Sequence, residues 1–108
     1  MYFAVWATDR PGALEARERA RPAHRARLRD PAPHAVEVVA GGPTLDEATG
    51  SMNGTLLVVR ADSIEAVRRY LDGDPYRLQQ VYASVEVRAW TWSLGAPAIP
   101  GEAPGSAG

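Results

Sequence analysis

The order in which extended and helical segments alternate constrains this chain more than any single residue does. Tyr2-Phe3-Ala4-Val5-Trp6-Ala7 is short, aromatic and β-branched, as strands are, and Thr8-Asp9-Arg10-Pro11-Gly12 closes it. Ala13 to Arg29 is rich in Ala, Glu, Arg and Leu and reads as a helix, which Pro22 is expected to kink or split in two. Val36 to Ala40 and Thr55 to Ala61 are two further strands. Between them, Gly41-Gly42-Pro43 and the polar stretch 44–54 read as loop. Asp62 and Ser63 are alternative N-caps of a second helix, with Glu65 three residues beyond Asp62 and with Ile64, Val67 and Leu71 spaced for a buried stripe. Asp72-Gly73-Asp74-Pro75 ends that helix, because glycine suits a C-terminal position and proline cannot continue. Val81 to Thr91 alternates with period two. Val81, Ala83, Val85, Val87 and Ala89 share one face, and Tyr82, Ser84, Glu86, Arg88 and Trp90 the other.

The resulting βαββαβ order is the split βαβ pattern. The expected fold is therefore an α+β, ferredoxin-like sandwich: a four-stranded antiparallel sheet with two helices on one face. Its other face is a problem, since YFAVWA and TLLVV are nearly continuous apolar runs of the kind found in strands buried on both sides. A chain of 108 residues supports one core and has no third layer to spare. The expected cover is a second copy, packed sheet to sheet in a homodimer. Residues 95–108, GAPAIPGEAPGSAG, hold seven Gly or Pro among fourteen and only Ile99 as a large apolar side chain. Such a segment cannot offset its ordering entropy, so one domain over 1–94 with a flexible Gly/Pro/Ala-rich tail is expected.

Composition then narrows the chemistry. All twelve basic residues are arginine, lysine and cysteine are absent, and thirteen acids leave a net charge of -1. That balance does not create the field that drives nucleic-acid or membrane-surface binding. Without cysteine there are no disulfides, Cys-type zinc sites or thiol nucleophiles, and without lysine no Schiff bases or P-loops. Two histidines ten residues apart make no metal signature, and no Gly-x-Ser-x-Gly elbow is present. Neither metal nor organic cofactor is expected. The apolar run Met1 to Ala7 is too short for a signal peptide or anchor, so a cytoplasmic protein is expected.

On a 100° wheel the apolar half of the first helix, with Ala13, Ala16, Ala20, Ala23, Leu14 and Leu28, also receives Arg17, Arg21, Arg27 and His24. His24 lies near the centre of that arc. An imidazole on a buried arc beside arginines either serves a site or donates one hydrogen bond to a nearby carbonyl while the arginines reach past the helix edge. His34, next to Pro33 at the entrance of a strand, reads as an exposed strand end. Asp74 precedes Pro75, which pushes its backbone to an extended conformation and frees its carboxylate to cap, pair or catalyse.

Taken together, Asp9-Arg10-Pro11-Gly12-Ala13-Leu14-Glu15 with Arg17 and Arg21-Pro22-Ala23-His24, then Ala40-Gly41-Gly42-Pro43, Gly54-Thr55-Leu56-Leu57-Val58-Val59 with Ala61-Asp62-Ser63, Gly73-Asp74-Pro75-Tyr76 and Val85-Glu86-Val87-Arg88-Ala89-Trp90 resemble the YCII-like (YciI-related) family over Tyr2 to Trp90. The resemblance implies the ferredoxin-like fold in its dimeric α+β barrel form. It also implies a catalytic pair formed by a histidine of the first helix and the aspartate of an Asp-Pro-aromatic motif, which fall on His24 and Asp74. Two positions depart from the family pattern: Arg25 stands where leucine is commoner, and Gly42 is inserted into a simpler Ala-Gly-Pro, where it is expected to reshape the pocket rim. The implied function is a lyase or isomerase acting on a small organic acid. Arg17 or Arg21 is then expected to hold a substrate carboxylate, and Tyr82 and Ser84 of the last strand to add hydrogen bonds. A non-catalytic module that binds a small molecule or supports a partner enzyme is the alternative, and a purely structural His-Asp pair is a third reading.

Overall fold

A computed structural model of the chain describes residues 1–96. The rest of the segment expected as a tail, 97–108, lies outside the described residues. The elements run β1 (Tyr2–Asp9), α1 (Leu14–Arg29), β2 (Val36–Leu45), β3 (Met52–Ala61), α2 (Ile64–Asp72), α3 (Pro75–Leu78) and β4 (Tyr82–Trp90). The strands form one antiparallel sheet in the order β2-β3-β1-β4, the ferredoxin-like arrangement. Among the described residues, no helix is long and apolar enough to cross a membrane.

The sheet has a core face and an outer face. Phe3, Val5, Leu57, Val59 and Ala61 pack against Val67, Tyr70 and Leu71 of α2. A second cluster joins Ala7, Ala20, Tyr76, Val81 and Tyr82 beside α1 and α3. The intervening residues Trp6, Leu56 and Trp90 are exposed on the opposite face, as strand alternation requires.

The local readings are corrected in four places. Gly41-Gly42-Pro43 is not loop: β2 runs through it to Leu45, and Pro43 lies opposite Thr55. β2 is an edge strand, where a missing N–H breaks no ladder on the outer side. The hairpin instead turns at Asp46, whose carboxylate accepts the Ala48 and Thr49 amides, with Gly50 at a positive φ of 74°.

Second, α1 is one helix through Pro22. Pro22 and Glu18 both lie on the exposed side of the helix, where a lost i to i−4 hydrogen bond costs least. Third, a short α3 follows α2, capped by the Asp74 carboxylate, while α2 itself is capped by Ser63 and not by Asp62. Fourth, the period-two pattern of the last strand is interrupted: Thr8 pairs with Ser84 but Asp9 with Tyr82, which leaves Ala83 as an extra, bulged residue. Tyr82 thereby turns into the core beside Val85, and Ser84 stays on the outer, exposed side.

Candidate active site

The inward stripe of α1 is i, i+3, i+7: Arg17, Ala20 and His24 are buried, with Arg21 half-buried beside them. His24 is 5 % exposed, close to what an aliphatic core residue would be. Across from it, Pro75 holds Asp74 at φ -61° and ψ 129°, outside the helix, with its carboxylate turned back over the first turn of α3. Asp74 Oδ1 accepts the Tyr76 amide at 2.9 Å and meets His24 Nδ1 at 2.8 Å. An ionised carboxylate only accepts, so with Asp74 ionised Nδ1 is the donor of this contact. The expected pairing of these two residues, fifty positions apart, is what the structure displays.

The ring of Tyr76 completes the wall. It stacks on His24 at 3.9 Å between centroids and 18° between planes, and Tyr82 meets it edge-on at 5.7 Å. The Arg17 guanidinium lies 4.3 Å from the same ring. Arg17 is 2 % exposed and fully engaged: it binds Asp9 through two nitrogens, at 2.8 and 3.1 Å, and donates to Thr55 Oγ1. Burial alone would depress its pKa, but the hydrogen bond and charge of Asp9 outweigh that and raise it. Burial also raises the Tyr76 phenol, against the opposing charges of Arg17 and Arg21, and raises Tyr82, with the Asp74 charge acting in the same sense. Both phenols are therefore neutral donors. Tyr82 uses its hydroxyl on Thr55 Oγ1 at 2.9 Å.

A cavity of about 170 Å³ opens in front of His24. Its α1 side is Arg17, Arg21, His24 and Arg25, its strand side is Gly41, Gly42 and Thr55, and Tyr76 lies at its end. Asp74 stands behind the imidazole and does not line it. Of the residues expected to touch a ligand, Arg17, Arg21, His24 and Gly42 are brought together here. Tyr82 acts only through Thr55 and Tyr76, and Ser84 borders a separate recess with Arg10 and Arg77. His34 is not at a solvent-facing strand end alone but meets Tyr70 edge-on at 5.7 Å, away from the cavity. No group of three or more His, Cys, Asp or Glu able to hold a metal occurs among the described residues.

Sequence reasoning gave no role to Asp9 and Thr55, which lock Arg17, or to Tyr76 as the stacking partner of His24. Thr55 carried a legible signal: it shares parity with Leu57 and Val59, so its hydroxyl had to face the helices.

A βαββαβ sheet with a buried His-Asp pair beside an arginine-rimmed cavity defines a small α+β protein of the ferredoxin-like class. The family model of the YCII-related domain matches residues 1–91, and the chain belongs to that family. It is 32 % identical over 92 residues to protein YciI of Escherichia coli O6:H1, covering 82 % of this chain and 94 % of that protein. Among solved structures, it is similar to TftG of Burkholderia phenoliruptrix AC1100, a 5-chloro-2-hydroxyhydroquinone dehydrochlorinase in complex with 2,5-dihydroxybenzoquinone. The TM-score is 0.72, with 32 % identity over 83 % of this chain and 93 % of that one. A protein of Agrobacterium tumefaciens at 15 % identity and a TM-score of 0.55 shares the fold.

Proposed function

We propose that this chain is a small enzyme of the lyase or isomerase type that acts on a one-ring or similarly small organic acid, with His24 as the proton-transfer group and Asp74 as its orienting partner. The observation that carries the reading is the 2.8 Å contact between His24 Nδ1 and Asp74 Oδ1 at the wall of an arginine-rimmed cavity. Asp74 fixes the tautomer and orientation of the ring, as a buried carboxylate does for a catalytic imidazole. In an elimination, Nε2 takes the proton, the electron pair of the broken bond becomes the new π bond, and the leaving group departs with its bonding pair. Arg21 compensates the negative charge of the substrate, and Arg17 keeps Tyr76 in place under the imidazole. The dehydrochlorinase activity of the similar TftG supports the reaction type and a ring-sized ligand. About 150 Å³ suffices for one benzene ring in an apolar protein cavity, so about 170 Å³ suits a ring of that size. The protein is proposed to work in the cytoplasm as a homodimer, with the second copy on the outer face of the sheet.

The test is turnover of small hydroxylated and halogenated ring acids and quinones by the wild type and by His24→Asn. Loss of general acid-base catalysis lowers kcat by roughly 100-fold or more while KM moves little. Turnover that survives His24→Asn overturns the role given to His24. Ligand affinity without turnover in either protein favours the binding-module reading.

A further inference from the structure

The cavity does not end at Arg25. A groove of about 610 Å³ lies between the C-terminal half of α1 and the β2 edge, and it shares Arg25, Leu28 and Gly41 with the His24 cavity. Gly41 sits at the junction. A Cβ there would stand 2.6 Å from Leu57 Cδ2 and 3.9 Å from Leu28 Cδ1, so a side chain at this position would crowd the passage. The strand side of the junction is bare backbone instead.

The unpaired charges along this path have one sign. Arg21 and Arg25 border the cavity, and Arg25 and Arg29 the groove. No side-chain hydrogen-bond or ion-pair partner holds Arg21, Arg25 or Arg29 among the described residues. The one carboxylate of the groove, Glu37, is paired with Arg60 at 2.9 Å. Arg25 and Arg29 are one helical turn apart, about 6 Å along the axis. They form a short row of unengaged guanidiniums leading away from His24.

We propose that this groove is a second subsite, continuous with the His24 cavity, and that it takes the anionic arm of a two-ended acid whose other end lies at His24. Arg25 binds at the junction and Arg29 at the far end. The inference deepens the function proposed above and rests on it for the placement of the reacting end. It adds a substrate class: the ligand carries two separated negative groups, and one ring does not fill the site.

Calorimetric binding on the full-length chain and on its His24→Asn variant tests this independently of turnover. The probes are benzoate, 4-(carboxyalkyl)benzoates with one to four methylenes, and the same arms capped as neutral methyl amides. Affinity is expected to rise with arm length to about tenfold over benzoate, the effect of one charge-assisted contact, and the neutral arms should show no such gain. Arg29→Gln, at an exposed position, should bring the best diacid to within about twofold of benzoate, while Arg25→Gln weakens benzoate and diacids alike. Diacids no tighter than their neutral counterparts, an advantage that persists in Arg29→Gln, or no binding of any probe each overturn the subsite. If His24→Asn keeps the length dependence, the subsite stands whatever the turnover assay says about His24.

Discussion

One oxygen of Asp74 serves two partners, the Tyr76 amide that starts α3 and the imidazole of His24. The aspartate is thus a helix cap and an orienter at once, and two substitutions separate the roles. Asp74→Asn keeps a side-chain carbonyl for the amide and for Nδ1–H but removes the negative charge. Asp74→Ala removes the cap, worth about 1 kcal/mol, and leaves a buried imidazole N–H unpaired at a further cost of about 1 to 3 kcal/mol. In urea unfolding the alanine variant should therefore be less stable than wild type by about 2 to 4 kcal/mol, and the asparagine variant by well under half of that. Equal losses in both variants would mean that the negative charge, and not the acceptor, holds this corner together.

At the scale of the elements, close approach in the sheet is controlled by glycine at one position and not at another. A Cβ on Gly54 would run into the carbonyl oxygen of Ala7 and into Thr44 Oγ1. Ala7 lies in β1 at the middle of the sheet, so its backbone cannot retreat without opening the β1–β3 ladder. Gly42, on the edge strand, has nothing within 4 Å of such an atom. Gly54→Ala should cost about 2 to 3 kcal/mol by thermal or urea denaturation, and Gly42→Ala less than about 0.5 kcal/mol. Similar losses at both positions would refute the packing explanation.

These elements also show which parts of the fold were legible beforehand. The order of strands and helices, and the inward placement of His24, follow from hydrophobic periodicity, which acts locally and survives folding. The pairing of His24 with Asp74 came from the family resemblance alone: Pro75 takes the aspartate backbone out of the helix and frees its carboxylate, but no local pattern says what that carboxylate meets. What escaped depended on tertiary context. A bulge at Ala83 reverses the parity that Tyr82 and Ser84 appear to share, and strand alternation contains no mark of it. Gly41-Gly42-Pro43 resembles a loop until β2 is known to be an edge strand. The lock on Arg17 joins β1, α1 and β3 through Asp9 and Thr55, a contact no local pattern encodes.

For the molecule as a whole, the outer face of the sheet carries the remaining argument. Trp6, Leu56 and Trp90 are 53, 43 and 40 % exposed, and Trp6 is directly opposite Leu56 in the register. Ala4 and Val58, the next pair along the same face, are half-buried. Around this apolar centre stand the exposed pairs Arg60–Glu37 and Arg88–Glu86, at 2.9 Å each, which keep the rim polar. An apolar centre with a charged rim is the anatomy of an interface, and a two-fold arrangement lets the same patch serve both partners. The proposed homodimer therefore predicts that the chain sediments at twice its own mass at tens of micromolar and that its Tm rises with concentration, as mass action requires. Trp6→Glu tests the face itself. Its neighbours Val5 and Ala7 point into the core at 1 % exposure, so a carboxylate at position 6 meets the opposite copy and leaves the core of its own chain intact. That variant should remain folded by circular dichroism, run as a single chain, and lose the concentration dependence of its Tm. A wild type that is already monomeric, with a Tm independent of concentration, or a Trp6→Glu chain that stays paired, would show that the outer face is not where two copies meet.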